Sequence, residues 1–164
     1  TTAAGDASLL LRIKDDYDGA EPSGNSVALL DLLRLANFTD NHELREAAER
    51  TLRALSRRIA AQPAAVPQML VGFGEALAKK QQIVIVGDPQ AEPTQSLLEA
   101  VNRRFLPHSV LFVIDSEETR RKLSRYLPVL ASMQRDGHAY VCHDYACQLP
   151  VNDAQQLIEL LRPA

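Results

Sequence analysis

Four carboxylates, Asp15, Asp16, Asp18 and Glu21, fall within seven residues, with Tyr17 among them and Asn25 just beyond. Carboxylates beside an aromatic ring and an amide can bind a polyhydroxylated ligand or supply a general acid and base. Gly19, Pro22 and Gly24 exclude a helix or strand interior, so these groups sit on a loop. The candidate ligand-binding residues are therefore Asp16, Tyr17, Asp18, Glu21 and Asn25. The same stretch also reads as an ordinary solvated turn, because turns collect Asp, Gly, Pro and Ser for their own geometry. It is not a calcium loop, since the Asp spacing lacks the downstream Glu.

A second group is Cys142, His143 and Cys147, with His138 nearby. Alternation on a strand puts His138 and Cys142 on one face and His143 on the other, and no second Cys or His pair completes a tetrahedral set, so no metal is expected. The spacing is not Cys-x-x-Cys, and two cysteines are too few for a disulfide framework. Cys142 and Cys147 are expected as reduced, partly buried thiols, with a local disulfide the less favoured alternative in a reducing compartment. A thiol function would require a depressed pKa at one of them. Gly87-Asp88-Pro89 closes an apolar run where open α/β sheets usually bind ligands, but it lacks phosphate-cradling glycine spacing and reads as turn chemistry. His42 and His108 complete no catalytic constellation. No cofactor is implied.

These groups hang on two kinds of segment. Up to about residue 80 the apolar pattern is helical. Helix 1 is expected over about 25–36, with Val27, Leu30, Leu33 and either Ala28 or Leu29 inward, Ser23 or Asn25 as N-cap, and Asn37 as its left-handed terminus. Asp40 with Glu43 has the form of a capping box for a second helix, ended by Pro63. Val66, Met69, Leu70, Phe73 and Leu77 mark one face of a third, with Pro67 in its first turn. Gly72 and Gly74 inside it imply a close neighbour at that turn.

From Gln82 the pattern changes. The branched run Ile83-Val84-Ile85-Val86 reads as a buried strand, and Ser109–Ile114 and His138–Cys142 as two more. Helices begin near Pro93, at Asp115 or Ser116 (stopped by Pro128), and at Asn152 or Asp153. The predicted fold class is α/β: α/α hairpin helices over residues 1–80, then a small, three-stranded, mainly parallel βαβαβα unit over residues 81–164.

The 164 residues carry a net charge of −3 with Lys and Arg dispersed, which is not the footprint of a nucleic-acid binder. No apolar run reaches the ~18 residues of a membrane span, and the first residues are not a signal peptide, so a cytoplasmic location is expected. The absence of an initial Met suggests a piece of a longer protein.

Several stretches, taken together, resemble one family: Asp15 through Val27 with Leu32-Leu33-Arg34-Leu35-Ala36, Val84 through Pro89, Arg104-Phe105-Leu106-Pro107, Tyr140-Val141-Cys142, Cys147-Gln148 and Pro150-Val151. Their order and spacing are similar to the C-terminal part of the YyaL family of thioredoxin-domain-containing proteins, related to spermatogenesis-associated thioredoxin-like proteins. The resemblance implies a parent with a thioredoxin-like domain followed by an α/α toroid like that of six-hairpin glycosidases. The helices here would end that toroid, and the acidic loop would face its sugar-binding bowl, with Tyr17 as a stacking platform. The chain lacks the Cys-x-x-Cys of a thioredoxin site, so redox activity does not carry over. The resulting expectation is a non-catalytic C-terminal fragment that lends an acidic loop to a carbohydrate-type pocket of its parent; the alternative is a structural or protein-interaction module. The expected partners are the remainder of the parent chain, a sugar ligand, and a second copy covering apolar surface left by truncation.

Overall fold

The computed structural model describes residues 15–144 and 146–161. They form two compact units, one reaching to Ala36 and resuming over Asn41–Ala78, the other comprising Asn37–Asp40 and the chain from Lys79 onward.

The first unit is helical. Helix α1 spans Gly24–Thr39, α2 spans His42–Ala61, and α3 spans Pro67–Leu77 after a 3-10 turn at Pro63–Ala65. Ser23 caps α1, its hydroxyl accepting from the Ser26 amide at 3.2 Å. Asn41, not Asp40, caps α2, its Oδ1 accepting from the Glu43 and Leu44 amides at 2.9 and 3.2 Å. Asp40 instead takes the left-handed conformation (φ 51°) expected of Asn37, and Asn37 stays inside α1, which runs three residues further than its periodicity predicts. Asp40 is the better terminus because a short polar side chain tolerates that region and the next residue is then free to cap.

The core of this unit is Leu29, Ala48, Val66 and Met69, with Leu32, Leu33, Leu52, Leu55 and Ile59 packed against it. Burying a side chain like that of Leu29 is worth about 1.5–3 kcal/mol. The expected faces shift in two places: Val27 is exposed on α1, and Phe73 and Leu77 are exposed on α3. Val66, just before α3, and Met69 are buried as expected, and the helix continues that buried face with Gly72 in place of Phe73 and Leu77, because a glycine there lets Leu29 approach. A Cβ on Gly72 would lie 2.6 Å from Leu29 Cδ2. The close neighbour expected at that turn is Leu29.

The second unit is built on a four-stranded mixed sheet. Its elements are β1 (Gln81–Val86), α4 (Thr94–Asn102), β2 (Ser109–Ile114), α5 (Glu117–Leu123), a 3-10 turn (Pro128–Ser132), β3 (His138–His143), β4 (Ala146–Cys147) and α6 (Ala154–Leu160). The order is β2-β1-β3-β4. Strand β2 runs parallel to β1 with Gln81 beside Ser109, whereas β3 is antiparallel to β1 with Val86 beside His138. The mainly parallel three-stranded unit is thus corrected to a mixed sheet of four.

The reason lies between β2 and β3. A parallel crossover must travel the length of the sheet, but α5 has only seven residues, about 10 Å of helix, and ends at Leu123, short of the expected stop at Pro128, which instead opens the 3-10 turn. The chain turns back through Leu127, Leu130 and Met133, and β3 starts at the end of the sheet where β2 finished.

Strand β1 is buried along all six residues because it is central and covered on both faces. Ile83 and Ile85 pack with Leu97, Ala100 and Val101 of α4, Leu157 of α6, and Ala139 and Val141 of β3. Val84 and Val86 face the opposite way, into Phe112, Ile114, Leu127, Leu130, Met133, Tyr140 and Cys142. Phe38 joins that second layer, its ring centroid 4.7 Å from that of Phe112. Gln82 is buried but satisfied, its amide donating to the Asn37 carbonyl at 2.6 Å. Gly87 ends β1 at φ 135°, where a Cβ would collide with Thr94 Oγ1 and lie 2.9 Å from Asp136 Oδ1, so only glycine fits.

Candidate functional site

The acidic loop precedes α1, and its geometry is organised by one carboxylate. Asp18 is buried, with 7% exposure. Its Oδ1 accepts from the Ser23 amide at 2.8 Å, and its Oδ2 accepts from the amides of Gln68 and Met69 at 2.9 and 3.1 Å. Gln68 and Met69 are the second and third residues of α3, whose N-cap position is Val66, a residue with no side-chain acceptor. Asp18 therefore caps α3 from a distance, supplying negative charge and two acceptors where the orphan N–H groups and the helix dipole favour both. The Asp18 amide also donates to the Ala65 carbonyl at 2.9 Å. Burial pushes the Asp18 carboxyl up, but the Ser26 hydroxyl and the amides of Ser23, Met69 and Gln68 outweigh it and hold the pKa below the ordinary carboxylate value.

The other candidates are arranged differently. Asp16 lies 3.8 Å from Arg58 Nε, in a half-exposed ion pair of α2 with the loop. Tyr17 is 54% exposed, its amide held by Asp15 Oδ1 at 3.2 Å. Glu21 is exposed, and its contribution to the turn is a carbonyl that accepts from the Gly19 amide at 3.1 Å. Asn25 donates from Nδ2 to the Asp15 carbonyl at 2.6 Å. Asn25 also edges a groove of about 440 Å³ between α1 and α2, lined further by Leu32, Ala47, Arg50, Thr51, Ala54 and Leu55. Asp16, Asp18 and Glu21 do not line it. The loop brings its residues together around its own backbone and the start of α3, not around that concavity.

The sequence pattern gave no sign of Ala65, Gln68 and Met69 as partners of the loop. Their signal was a negative one: an α3 start at Val66-Pro67 with no capping side chain of its own.

Cys142 and Cys147 are joined in a disulfide, which corrects the expectation of free thiols. The cause is β4, too short to be recognised in the sequence. Asp144 turns the chain with φ 46°, and the hairpin places Cys142 opposite Cys147 and His143 opposite Ala146. Cys142 is buried and Cys147 exposed. His138 holds the Asp136 carbonyl through Nδ1 at 2.8 Å. Among the described residues, no three His, Cys, Asp or Glu side chains converge to hold a metal ion.

At the carboxyl end of the sheet, Asp88 Oδ1 accepts from the Gln90 amide at 2.9 Å, a local turn bond. Asp115 accepts from the hydroxyls of Thr119 at 2.6 Å and Ser116 at 3.1 Å, which lower its pKa, while Ser116 caps α5. Both are turn and cap chemistry. No helix among the described residues is long and apolar enough to cross a membrane.

No protein-family model matches the chain, and no solved structure matches it. Curated relatives do. The chain is 40% identical over 160 residues to spermatogenesis-associated protein 20 of Homo sapiens, covering 96% of this chain and 20% of that protein. It is 40% identical over 158 residues to the protein of the same name in Mus musculus, covering 94% and 20%. An uncharacterised protein of Caenorhabditis elegans is 32% identical over 155 residues, covering 94% and 21%. The chain is thus similar, along nearly its whole length, to proteins named spermatogenesis-associated protein 20, and spans about a fifth of their length.

Proposed function

We infer that this chain is a non-catalytic, structural region at the C-terminal end of a longer protein of the spermatogenesis-associated protein 20 type, and that its acidic loop closes the helical unit instead of binding a sugar. The observation that carries this reading is the Asp18 carboxylate, buried and already accepting from the amides of Ser23, Gln68 and Met69. A carboxylate that binds a sugar must offer its oxygens to hydroxyls, and these oxygens are spent on the fold. The parent's thioredoxin-like domain and α/α toroid, implied by the family resemblance, are part of the same proposal.

The test is a thermal-shift panel of neutral and acidic sugars on this chain and on the longer parent, each as wild type, Asp18→Ala and Glu21→Ala. Ligands that bind the native state raise its apparent stability by mass action. The expected result is no sugar-dependent shift in either length, with Asp18→Ala lowering Tm and Glu21→Ala leaving it unchanged. A shift in the parent that Glu21→Ala abolishes would restore the carbohydrate pocket.

A further inference from the structure

The two edges of the sheet are treated differently. The outer edge of β3 is closed by β4, by the Gln148 amide donating to the Val141 carbonyl at 2.9 Å, and by paired bonds between Ala139 and Val151. The outer edge of β2 has no strand beside it among the described residues. Ser109-Val110-Leu111-Phe112-Val113-Ile114 carries no charge and no proline, the usual devices that keep an edge from pairing. The Ile114 carbonyl accepts from the Gly87 amide, so by alternation Leu111 and Val113 turn their backbone N–H and C=O groups away from β1.

A pocket of about 210 Å³ opens where this edge begins, lined by the apolar Ile83, Val101, Leu106 and Leu111 and by the polar Asn102, Arg104 and Ser109. It exists because α4 lies over β1 and β3 and leaves the start of β2 uncovered. Its volume is below the roughly 300–1,000 Å³ of sites for whole small molecules and suits one apolar side chain. Arg103 is engaged with Glu99 at 3.1 Å, whereas the Arg104 guanidinium has no ion-pair or hydrogen-bond partner among the described residues.

We propose that this edge binds the C-terminus of an extended peptide, which adds as a strand antiparallel to β2, places its last apolar side chain in the pocket, and sets its carboxylate on Arg104. The direction follows from the placement: a strand antiparallel to β2 ends beside Ser109, where the pocket and Arg104 lie. Backbone pairing at the edge supplies affinity, the pocket selects an aliphatic side chain, and a bidentate guanidinium–carboxylate contact selects a chain end.

The probe is the synthetic peptide acetyl-Lys-Thr-Val-Thr-Leu with a free C-terminus, titrated into the isotopically labelled chain while amide shifts are followed by NMR. The expected result is saturable shifts at Leu111 and Val113, with affinity falling at least tenfold for the C-terminal amide of the same peptide and for Arg104→Gln. Val113→Pro removes an outward N–H at a position where an edge strand tolerates proline, and is expected to abolish binding while the β1 amides keep their positions. The absence of β2 shifts at millimolar peptide overturns the proposal, as does equal binding of the acid and the amide. Shifts that map away from β2 do so too.

Discussion

In the helical unit, a buried carboxylate ties the acidic loop to a helix 50 residues further along the chain, entirely by hydrogen bonds. In the sheet unit, a covalent bond ties two cysteines only five residues apart. Both ties occupy the residues whose chemistry looks most reactive in the sequence, and both serve the fold. They differ in what they constrain. The Asp18 tie closes a long loop and satisfies a helix terminus that has no other cap, so its loss affects the unit as a whole. The disulfide fixes a hairpin that is already local, so its loss affects an edge. They also answer to different variables, one to protonation and the other to reduction.

The largest effect is therefore expected at Asp18. Replacement by Ala leaves the amides of Ser23, Gln68 and Met69 without their acceptor, and hydrogen bonds to a charged group are worth about 1.5–3 kcal/mol each before water replaces some of them. A net loss of about 3 kcal/mol is expected in urea unfolding, and about half of it for Asp18→Asn, which keeps one carbonyl oxygen. The folded-state pKa of Asp18 lies below its ordinary value of 3.8. Its contribution is thus fully present above that value and is lost as pH falls through the lower, folded one. The stability difference between wild type and Asp18→Asn should shrink between about pH 5 and pH 2. A difference that persists unchanged at the acid end would mean that the carboxylate's charge is not what holds α3.

Loss of the disulfide should cost less. A loop this short restricts the unfolded chain modestly, and the chain-entropy relation gives about 2 kcal/mol for a separation of five residues. The measurement is urea unfolding with and without reductant, alongside a thiol titration of the native chain without reductant, which should find no free thiol. Two titratable thiols in the untreated native chain would remove the covalent side of the comparison. A reductive loss larger than that of Asp18→Ala would invert it.

What the sequence made legible follows from how local each feature is. Strand β2 at Ser109–Ile114, the Ser116 cap and the turn at Gly137 depend on neighbours in the chain, and local patterns predict them. The direction of β3 does not. It is set by how far α5 can carry the chain, a question of length that alternation along β3 cannot answer. Strand β4 has two residues, below any periodic signal, and with it went the pairing of Cys142 with Cys147. At the loop, the residue types of Asp16, Tyr17, Asp18, Glu21 and Asn25 were plain, but their roles depend on where α3 begins. Asp18 looks like its acidic neighbours until Gln68 and Met69 are placed beside it.

The smallest expected effect is a gain on the helix that Asp18 caps. A Cβ at Gly74 would meet nothing within 4 Å, whereas Gly72 two residues earlier is pressed against Leu29. Gly74→Ala should therefore stabilise the chain by up to about 1 kcal/mol, the helix-propensity difference between the two residues, with no packing penalty to offset it. Because the substitution and the cap act on the same helix, the alanine should recover about that amount in an Asp18→Ala background, read as a rise in the urea midpoint at unchanged slope. It should leave the loss caused by reducing the disulfide untouched, since that tie lies in the other unit. If Gly74→Ala is neutral in both backgrounds, α3 is not limiting for stability, and the Asp18 tie acts by holding the loop instead of by holding the helix.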